Sequence, residues 1–278
     1  SALQVDNRKS MYAKLCAAGA LIFLGYKVKG SLIILFAVGL LLLFLKFRLK
    51  KAICLILVFT AGFGVIGFAY NTAVDAVNPI TKQQYEKYEY PHWLMMGLKG
   101  LGKYDEHDDY YTRSFPSKKE KQDANIKVIK ERIKDYKFSG LYEHMIEKAV
   151  WTWQDGTYYI SYHNRKPKND NILMDFLHID GKYNKAFQNY SSALQLFILL
   201  MICISALKTL IKPKVDEMLL IKGVVFAAFL FFLLWETRSR YLFDMTPLFI
   251  LLMVDGMDTA KAFLDSFRKP KQQTEKQA

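Results

Sequence analysis

The sequence predicts an α-helical polytopic membrane protein with about six transmembrane helices and a mostly helical extracytoplasmic insertion between the third and the fourth. Three observations support this prediction: long apolar runs, a polar and tyrosine-rich middle, and basic residues gathered beside the apolar runs. A hydrocarbon core of about 30 Å requires roughly 20 apolar residues in a helix. The mean hydropathy of +0.04 hides the pattern, because the apolar and polar stretches cancel.

Six apolar segments are candidates for membrane-spanning helices. They cover approximately residues 11–26, 31–47, 51–70, 191–211, 218–236 and 242–262. The first is the weakest, since Lys14 interrupts it and Lys27 shortens it. A signal peptide is the alternative for this first segment, but the sequence lacks a small-residue cleavage site.

The segments divide the chain into four parts. We expect transmembrane helices 1–3 in residues 1–70, an extracytoplasmic domain in residues 71–190, transmembrane helices 4–6 in residues 191–264, and a basic cytoplasmic tail in residues 265–278. All three cysteines lie in apolar runs, which predicts small packing residues rather than disulfides or metal ligands. They are Cys16, Cys54 and Cys203.

The net charge of +13 could indicate nucleic-acid binding. However, the basic residues lie mainly beside hydrophobic segments, which favours a membrane protein and no nucleic acid. Short basic connections mark the cytoplasmic side, and here they cover residues 46–51, residues 208–214 and the tail from residue 261. The connection at residues 27–30, the insertion and the turn at residues 236–241 are then outside.

Lys27 and Lys29 do not follow this orientation rule. Both lie in the turn Gly-Tyr-Lys-Val-Lys-Gly, which the rule places outside. Lysines in such a turn can extend to the lipid headgroups without further function. An anion-binding role for Lys29 is the second interpretation, and the sequence leaves both open.

The insertion is too long to be a structureless loop. The spacing of its apolar residues predicts a helix over residues 120–136 and a second helix over residues 141–151, with Gly140 as the stop signal between them. Residues 153–162 are ambiguous between a strand and an extended loop. The apolar stretch at residues 93–98 could lie in the membrane interface, where tryptophan is common.

An acidic cluster follows that stretch and gives the insertion its candidate site residues. We consider His92, Trp93, Asp108 and Asp109 as candidates for binding an acceptor. The carboxylates could also bind a divalent cation through oxygen ligands, although the spacing matches no calcium loop. A solvated acidic turn is the simpler interpretation. No zinc site is predicted, and no cofactor is assigned.

The turn between the last two apolar segments carries the strongest functional pattern. Three charged residues, Glu236, Arg238 and Arg240, are crowded between two membrane-length runs. Charge held at a bilayer surface is costly and indicates a functional site. Two arginines in a short turn suit bidentate capture of a phosphate. Anchoring of the helix ends to lipid phosphates is the alternative.

Three segments together resemble the GT-C superfamily of glycosyltransferases, in particular its bacterial protein-mannosyltransferase-like and aminoarabinose-transferase-like branch. The first is Leu-Gly-Tyr-Lys-Val-Lys-Gly-Ser at residues 24–31. The second is Pro-His-Trp-Leu-Met-Met-Gly-Leu at residues 91–98, with Gly102 and the Asp-Asp pair at residues 108–109 downstream. The third is Trp-Glu-Thr-Arg-Ser-Arg-Tyr-Leu at residues 235–242, with Pro247 in the following helix.

The resemblance implies transfer of a sugar from a polyprenyl-phosphate donor to an envelope polymer or protein at the outer face of a bacterial cell membrane. It implies a donor phosphate site with Arg238, Arg240, Lys29, Glu236 and Tyr241. The family's catalytic carboxylate lies in a first large loop that has no matched position here, so no catalytic residue is assigned. We therefore expect the carboxy-terminal portion of a longer enzyme, or a split partner of one.

Two other classes of function remain open at this point. A non-catalytic membrane protein that binds or assembles envelope polysaccharide would use the insertion for carbohydrate binding without donor turnover. A transporter is the weakest alternative, because the sequence shows no internal repeat and its acidic pair, Asp255 and Asp258, lies toward the inner end of the last helix. A soluble hydrolase is excluded by the apolar segments, and no nucleophile elbow or phosphate loop is present.

Overall fold

The computed structural model describes residues 8–77, 88–163 and 171–268, and in these ranges every regular element is helical. The eleven α-helices of the described ranges are α1 (Arg8–Val28), α2 (Ile33–Lys46), α3 (Leu49–Val77), α4 (Tyr90–Gly97), α5 (Glu106–Arg113), α6 (Lys118–Trp153), α7 (Ile160–His163), α8 (Ile172–Leu177), α9 (Asn184–Ile211), α10 (Glu217–Leu234) and α11 (Thr246–Arg268). Two short 3₁₀ helices, Gly30–Leu32 and Ser239–Met245, precede α2 and α11.

The helices form two compact units. The first comprises Ser1–Tyr88 and Lys214–Leu230, and the second comprises Glu89–Pro213 and Phe231–Ala278. In the first unit, α1 and α3 pack closely because glycines remove side chains from their contact. Gly19 lies against the backbone of Phe59, and Gly62 lies against the backbone of Cys16. Either contact leaves no room for a Cβ atom.

The C-terminal end of α1 shows how Lys27 is accommodated. Its Nζ atom donates to Oδ1 of Asn71 at 3.1 Å and lies 5.2 Å from the ring centre of Phe23 and 5.1 Å from that of Tyr70. The ammonium group therefore has a polar partner and two aromatic faces. These contacts stabilise the lysine at the helix end, whichever side of the membrane it faces.

The second unit is organised around the long helix α6. A capping box starts this helix, since the Ser117 side chain accepts from the N–H of Glu120 and the Glu120 side chain accepts from the N–H of Ser117. The helix is broken at Lys137, where φ is +52° and ψ is −172°. The two predicted helices are therefore present, but the break lies at Lys137 and not at Gly140, so the stop signal was placed wrongly.

Helices α4 and α5 pack on α6 through buried polar side chains as well as apolar ones. Met95, Met96 and His92 have no exposed surface. This face of α4 is therefore part of the domain interior. Residues 156–159 form turns and Ile160–His163 form the short helix α7, so residues 153–162 form neither the strand nor the extended loop considered for them.

Helices α9 and α11 form the second close helix pair. Gly256 lies against the backbone of Met201, one helix face against the other. One turn further along α9, the hydroxyl of Ser205 and the Nζ atom of Lys208 both donate to the carboxylate of Asp255, the lysine at 2.7 Å. The aspartate on this apolar helix thus has a basic partner, as a charge near a bilayer requires.

Four helical segments of the described chain have the length and apolar composition to cross a membrane: Lys9–Val28, Leu49–Val77, Asn184–Ile211 and Glu217–Leu234. The other two predicted spans fall short of that criterion. Gly30–Lys46 is apolar but shorter, and α11 carries charged residues along its second half. A count of six spans therefore remains a prediction. The three cysteines lie exposed on helix surfaces, which differs from the expectation of small packing residues.

Candidate functional site

The turn between α10 and α11 is bound to the folded domain by its own backbone. The N–H of Glu236 donates to the carbonyl of Trp93 at 3.1 Å, and the N–H of Thr237 donates to the carbonyl of Gly102 at 2.8 Å. The hydroxyl of Thr237, which is fully buried, lies 3.3 Å from the hydroxyl of Thr152 on α6. The charged turn is therefore a fixed part of the second unit and not a free hairpin.

Two glycines permit this close approach. Gly97 lies against the backbone of Leu234 and Trp235, and a Cβ atom there would overlap the Leu234 carbonyl. Gly102 has φ of +70°, a conformation that glycine adopts readily, and its Cα faces the side chain of Lys148. At these two glycines, the segment at residues 91–98 and the loop that follows it meet the turn.

Glu236 is the buried carboxylate of the turn, with 3% of its surface exposed. Its Oε2 atom accepts a hydrogen bond from the hydroxyl of Tyr241 at 2.8 Å. Its Oε1 atom has no hydrogen-bond partner among the described residues, and the Nε atom of Arg238 lies 3.7 Å from it. Burial raises the pKa of Tyr241, and the Glu236 charge raises it further. The tyrosine is therefore a proton donor to Glu236 at neutral pH.

Lys148 on α6 is the second buried ionisable group of the site. It has no exposed surface, and its Nζ atom donates to the carbonyl of Gly97 at 2.7 Å. Burial lowers the pKa of Lys148 to about 7, although the nearby Glu236 carboxylate opposes that shift. His144, one turn earlier, lies 3.1 Å from the same carbonyl, and burial also lowers the pKa of this histidine.

Lys148 is not among the residues that the sequence pattern indicates. The available signal was the spacing of His144, Lys148 and Thr152, which places three polar residues on one face of a helix. That face is the one that meets Gly97, Gly102 and Thr237, and all three polar residues are buried there.

Arg238 is held between a ring and a carboxylate. Its side chain is 18% exposed, and its guanidinium carbon lies 5.5 Å from the ring centre of Tyr159. The nearby carboxylate of Glu236 offsets part of the positive charge of Arg238. Arg240 is also partly buried, with its guanidinium carbon 5.3 Å from the ring centre of Tyr241. Neither arginine extends fully into solvent.

Asp155 connects the turn to the loop that carries Tyr159. Its Oδ1 atom accepts from the N–H and the hydroxyl of Thr157 at 2.9 and 2.6 Å. Its Oδ2 atom accepts from the N–H of Tyr159 at 2.9 Å and from the hydroxyl of Ser239 at 2.6 Å. Tyr158 and Tyr159 have φ of +50° and +68°, which costs roughly 1–2 kcal/mol per residue for a side chain with a Cβ atom. The carboxylate of Asp155 offsets that cost.

The candidate acceptor residues lie in the α4–α6 packing of the same unit. Asp108 forms a bidentate ion pair with Arg132, with distances of 2.8 and 2.7 Å. Asp109 pairs with Arg113 at 2.9 Å. The Nδ1 atom of His92 lies 2.8 Å from the hydroxyl of Thr112, and burial lowers the pKa of this histidine.

Trp93 contacts the turn directly, through its carbonyl. The second unit therefore holds Glu236, Arg238, Arg240 and Tyr241 together with the four insertion candidates. Lys29 belongs to the first unit, where its N–H donates to the carbonyl of Gly25 at 2.8 Å just before the 3₁₀ helix Gly30–Leu32. In the described ranges, no group of three His, Cys, Asp or Glu side chains is placed to hold a metal ion.

Comparison with known proteins gives one finding. No curated protein and no solved structure matches the chain. One family model, described as a conserved hypothetical integral membrane protein, matches residues 3–261. The chain is therefore an integral membrane protein and belongs to this family.

Proposed function

We propose that the protein is a membrane glycosyltransferase, or the carboxy-terminal portion of one. It moves a sugar from a polyprenyl-phosphate donor to a cell-envelope acceptor at the outer face of a bacterial cell membrane. The turn between α10 and α11 binds the donor phosphate. No residue of the described chain is assigned as the catalytic base.

The observation that carries the proposal is the placement of Arg238. Its guanidinium group is partly desolvated by Tyr159 and lies 3.7 Å from a buried carboxylate oxygen that has no hydrogen-bond partner in the described ranges. Guanidinium is weakly hydrated and presents a planar fork of donors, which suits a phosphate monoanion or diester. An arginine that only anchors a helix end to lipid phosphates would not need a buried carboxylate beside it.

Glu236 offsets the charge of Arg238 before a ligand binds, and Tyr241 holds Glu236 in place through a hydrogen bond. Arg238 lies beside this carboxylate, and a buried charge without compensation would be strongly destabilising. When a phosphate arrives, Arg238 exchanges a long contact with Glu236 for a charge-assisted hydrogen bond. The exchange favours the lipid-borne anion because the guanidinium is already oriented.

Arg240 supplies a second cation on the same turn. Its contact with the ring of Tyr241 restricts the side chain before the ligand binds. Charge that develops on the leaving phosphate would be stabilised by these preorganised cations. Lys29 remains a candidate for a third cation from the first unit, and this role rests on the sequence resemblance alone.

The candidate residues of the insertion affect acceptor binding indirectly, because they hold α4 and α5 in place. Asp108 and Asp109 are occupied by Arg132 and Arg113, so their carboxylates fix α5 against α6. His92 fixes α4 in the same way through Thr112. In this proposal they support the surface around the turn, and the exposed aromatic side chains of the insertion contact the acceptor.

The experiment is transfer of labelled sugar from polyprenyl-phosphate sugar to membrane acceptors by the full-length protein in liposomes. An Arg238→Ala, Arg240→Ala double variant should lose at least 90% of turnover, about the tenfold effect of losing one charged hydrogen bond. Arg48→Ala, an exposed arginine of the basic connection at residues 46–51, is the matched control. Wild-type-like turnover of the double variant at equal expression would refute the phosphate role.

The non-catalytic alternative is favoured by exposed aromatic side chains on α6 and α5. Phe138 is 90% exposed, Tyr110 is 70% exposed and Tyr142 is 62% exposed. Such residues could bind a polysaccharide without any chemistry. Binding of envelope polymer by the full-length protein, with no release of polyprenyl phosphate from the donor, would support that alternative and reject the transferase.

A further inference from the structure

A pair of stacked tyrosines lies next to Arg238. The ring centres of Tyr159 and Tyr162 are 4.4 Å apart with an angle of 29° between the planes. Tyr159 is half-buried and covers the guanidinium of Arg238, while Tyr162 is 41% exposed. The three side chains thus form a row from a cation to an accessible aromatic ring.

The backbone at Tyr159 has an unfavourable conformation that fixes this row of side chains. Tyr159 has φ of +68°, in the left-handed region that an aromatic residue rarely adopts. The conformation is maintained by Asp155, which accepts from the N–H of Tyr159 and from Ser239, the residue after Arg238. The carboxylate therefore fixes the ring and the arginine in relation to each other. Strain that is retained in this way is common where a ligand is gripped.

We propose that Tyr162, supported by Tyr159, is the sugar subsite of the donor site. The inference rests on the proposed function. With the donor phosphate on Arg238, the attached hexose lies within reach of the row of rings, and the apolar face of the sugar packs on the exposed ring of Tyr162. Asp155 is a positioning residue, because it acts through Tyr159 and Ser239. The subsite binds the sugar of the donor, whereas Arg238 binds its phosphate.

The test compares two lipids in binding to the full chain in nanodiscs: a short-chain polyprenyl phosphate, and the same lipid with one mannosyl or glucosyl group. Wild type should bind the sugar-bearing lipid roughly three- to tenfold more tightly, a factor in the range of one aromatic contact. Tyr162→Leu should remove that preference and leave the affinity for the sugar-free lipid unchanged. Tyr162→Phe should keep it. Tyr142→Leu, on α6, is the control for loss of an exposed tyrosine.

The outcomes separate this subsite from the phosphate site. If Tyr162→Leu lowers affinity for both lipids equally, or for neither, the sugar subsite is wrong while phosphate binding stands. If wild type binds neither lipid, the proposed function fails and the subsite fails with it. If Tyr162→Phe loses the preference along with Tyr162→Leu, the hydroxyl and not the ring face recognises the sugar, and the stacking proposal is overturned.

Discussion

The Nζ atom of Lys148 donates to the carbonyl oxygen of Gly97 across 2.7 Å, although the side chain has no exposed surface. The helix end that Gly97 occupies also lies against the backbone of Leu234, where the charged turn begins. Lys148 is therefore part of the support of the turn. Its protonation state and its packing should both affect the stability of the second unit.

Substitutions at two glycines can test the packing of Lys148. Gly100 and Gly102 both have positive φ, but only Gly102 faces the Lys148 side chain. Gly100→Ala should cost about 1 kcal/mol from backbone strain. Gly102→Ala should cost about 1–2 kcal/mol more, because Lys148 must give up its hydrogen bond to make room. The measurement is chemical denaturation of the detergent-solubilised protein.

The extra cost of Gly102→Ala should disappear in a Lys148→Ala background. A double-mutant cycle measures this coupling, because both residues share one contact. If the extra cost were the same in both backgrounds, Lys148 would not be the group that Gly102 accommodates.

The pKa of Lys148 predicts a pH dependence of stability. Burial lowers this pKa from 10.5 to about 7 in the folded protein. Between these values the unfolded chain binds a proton that the folded protein does not, so the free energy of unfolding rises with pH. The gain from about pH 7 to about pH 9 should be on the order of 2 kcal/mol.

Lys148→Met should remove this rise, whatever its effect on stability at a single pH. The exposed Lys127 provides the control, since Lys127→Met should keep the wild-type slope. The comparison of slopes cancels the contributions of other titrating groups. An unchanged slope in Lys148→Met would show that the lysine is not buried in neutral form.

The ion pair of Asp108 and Arg132 should contribute far more to the free energy of unfolding than a surface ion pair does. The side chains are 7% and 19% exposed, and their contact is bidentate. Asp108→Ala leaves a largely buried guanidinium without its carboxylate and should cost about 3 kcal/mol or more in the free energy of unfolding. Lys118→Ala removes the exposed pair with Glu89 and should cost under about 1 kcal/mol. Similar losses in both variants would contradict this ranking.

The helical architecture could be predicted well from hydrophobic pattern alone. Every predicted apolar segment overlaps a helix, because a long apolar run has few other ways to satisfy its backbone. The break in α6 could not be predicted, since Lys137 is neither glycine nor proline and its conformation depends on packing. Gly140, the residue with the expected local signal, continues the helix.

The candidate site was only partly accessible to sequence reasoning. Arg238 and Arg240 stood out because their charge contrasts with the apolar runs on both sides. Lys148 and Asp155 did not, because each resembles the many other charged residues of a polar insertion. Their importance comes from contacts with Gly97 and Ser239, which are 51 and 84 positions away in the chain. No local pattern encodes such contacts.

The most direct test of the account is the affinity of the full chain for a short-chain polyprenyl phosphate and for the corresponding polyprenol, measured in nanodiscs. Wild type should prefer the phosphate by about ten- to a hundredfold, the value of one or two charged hydrogen bonds. The Arg238→Ala, Arg240→Ala variant should bind both lipids alike. A variant that kept the wild-type preference for the phosphate would contradict the claim that these guanidinium groups bind a lipid-borne anion.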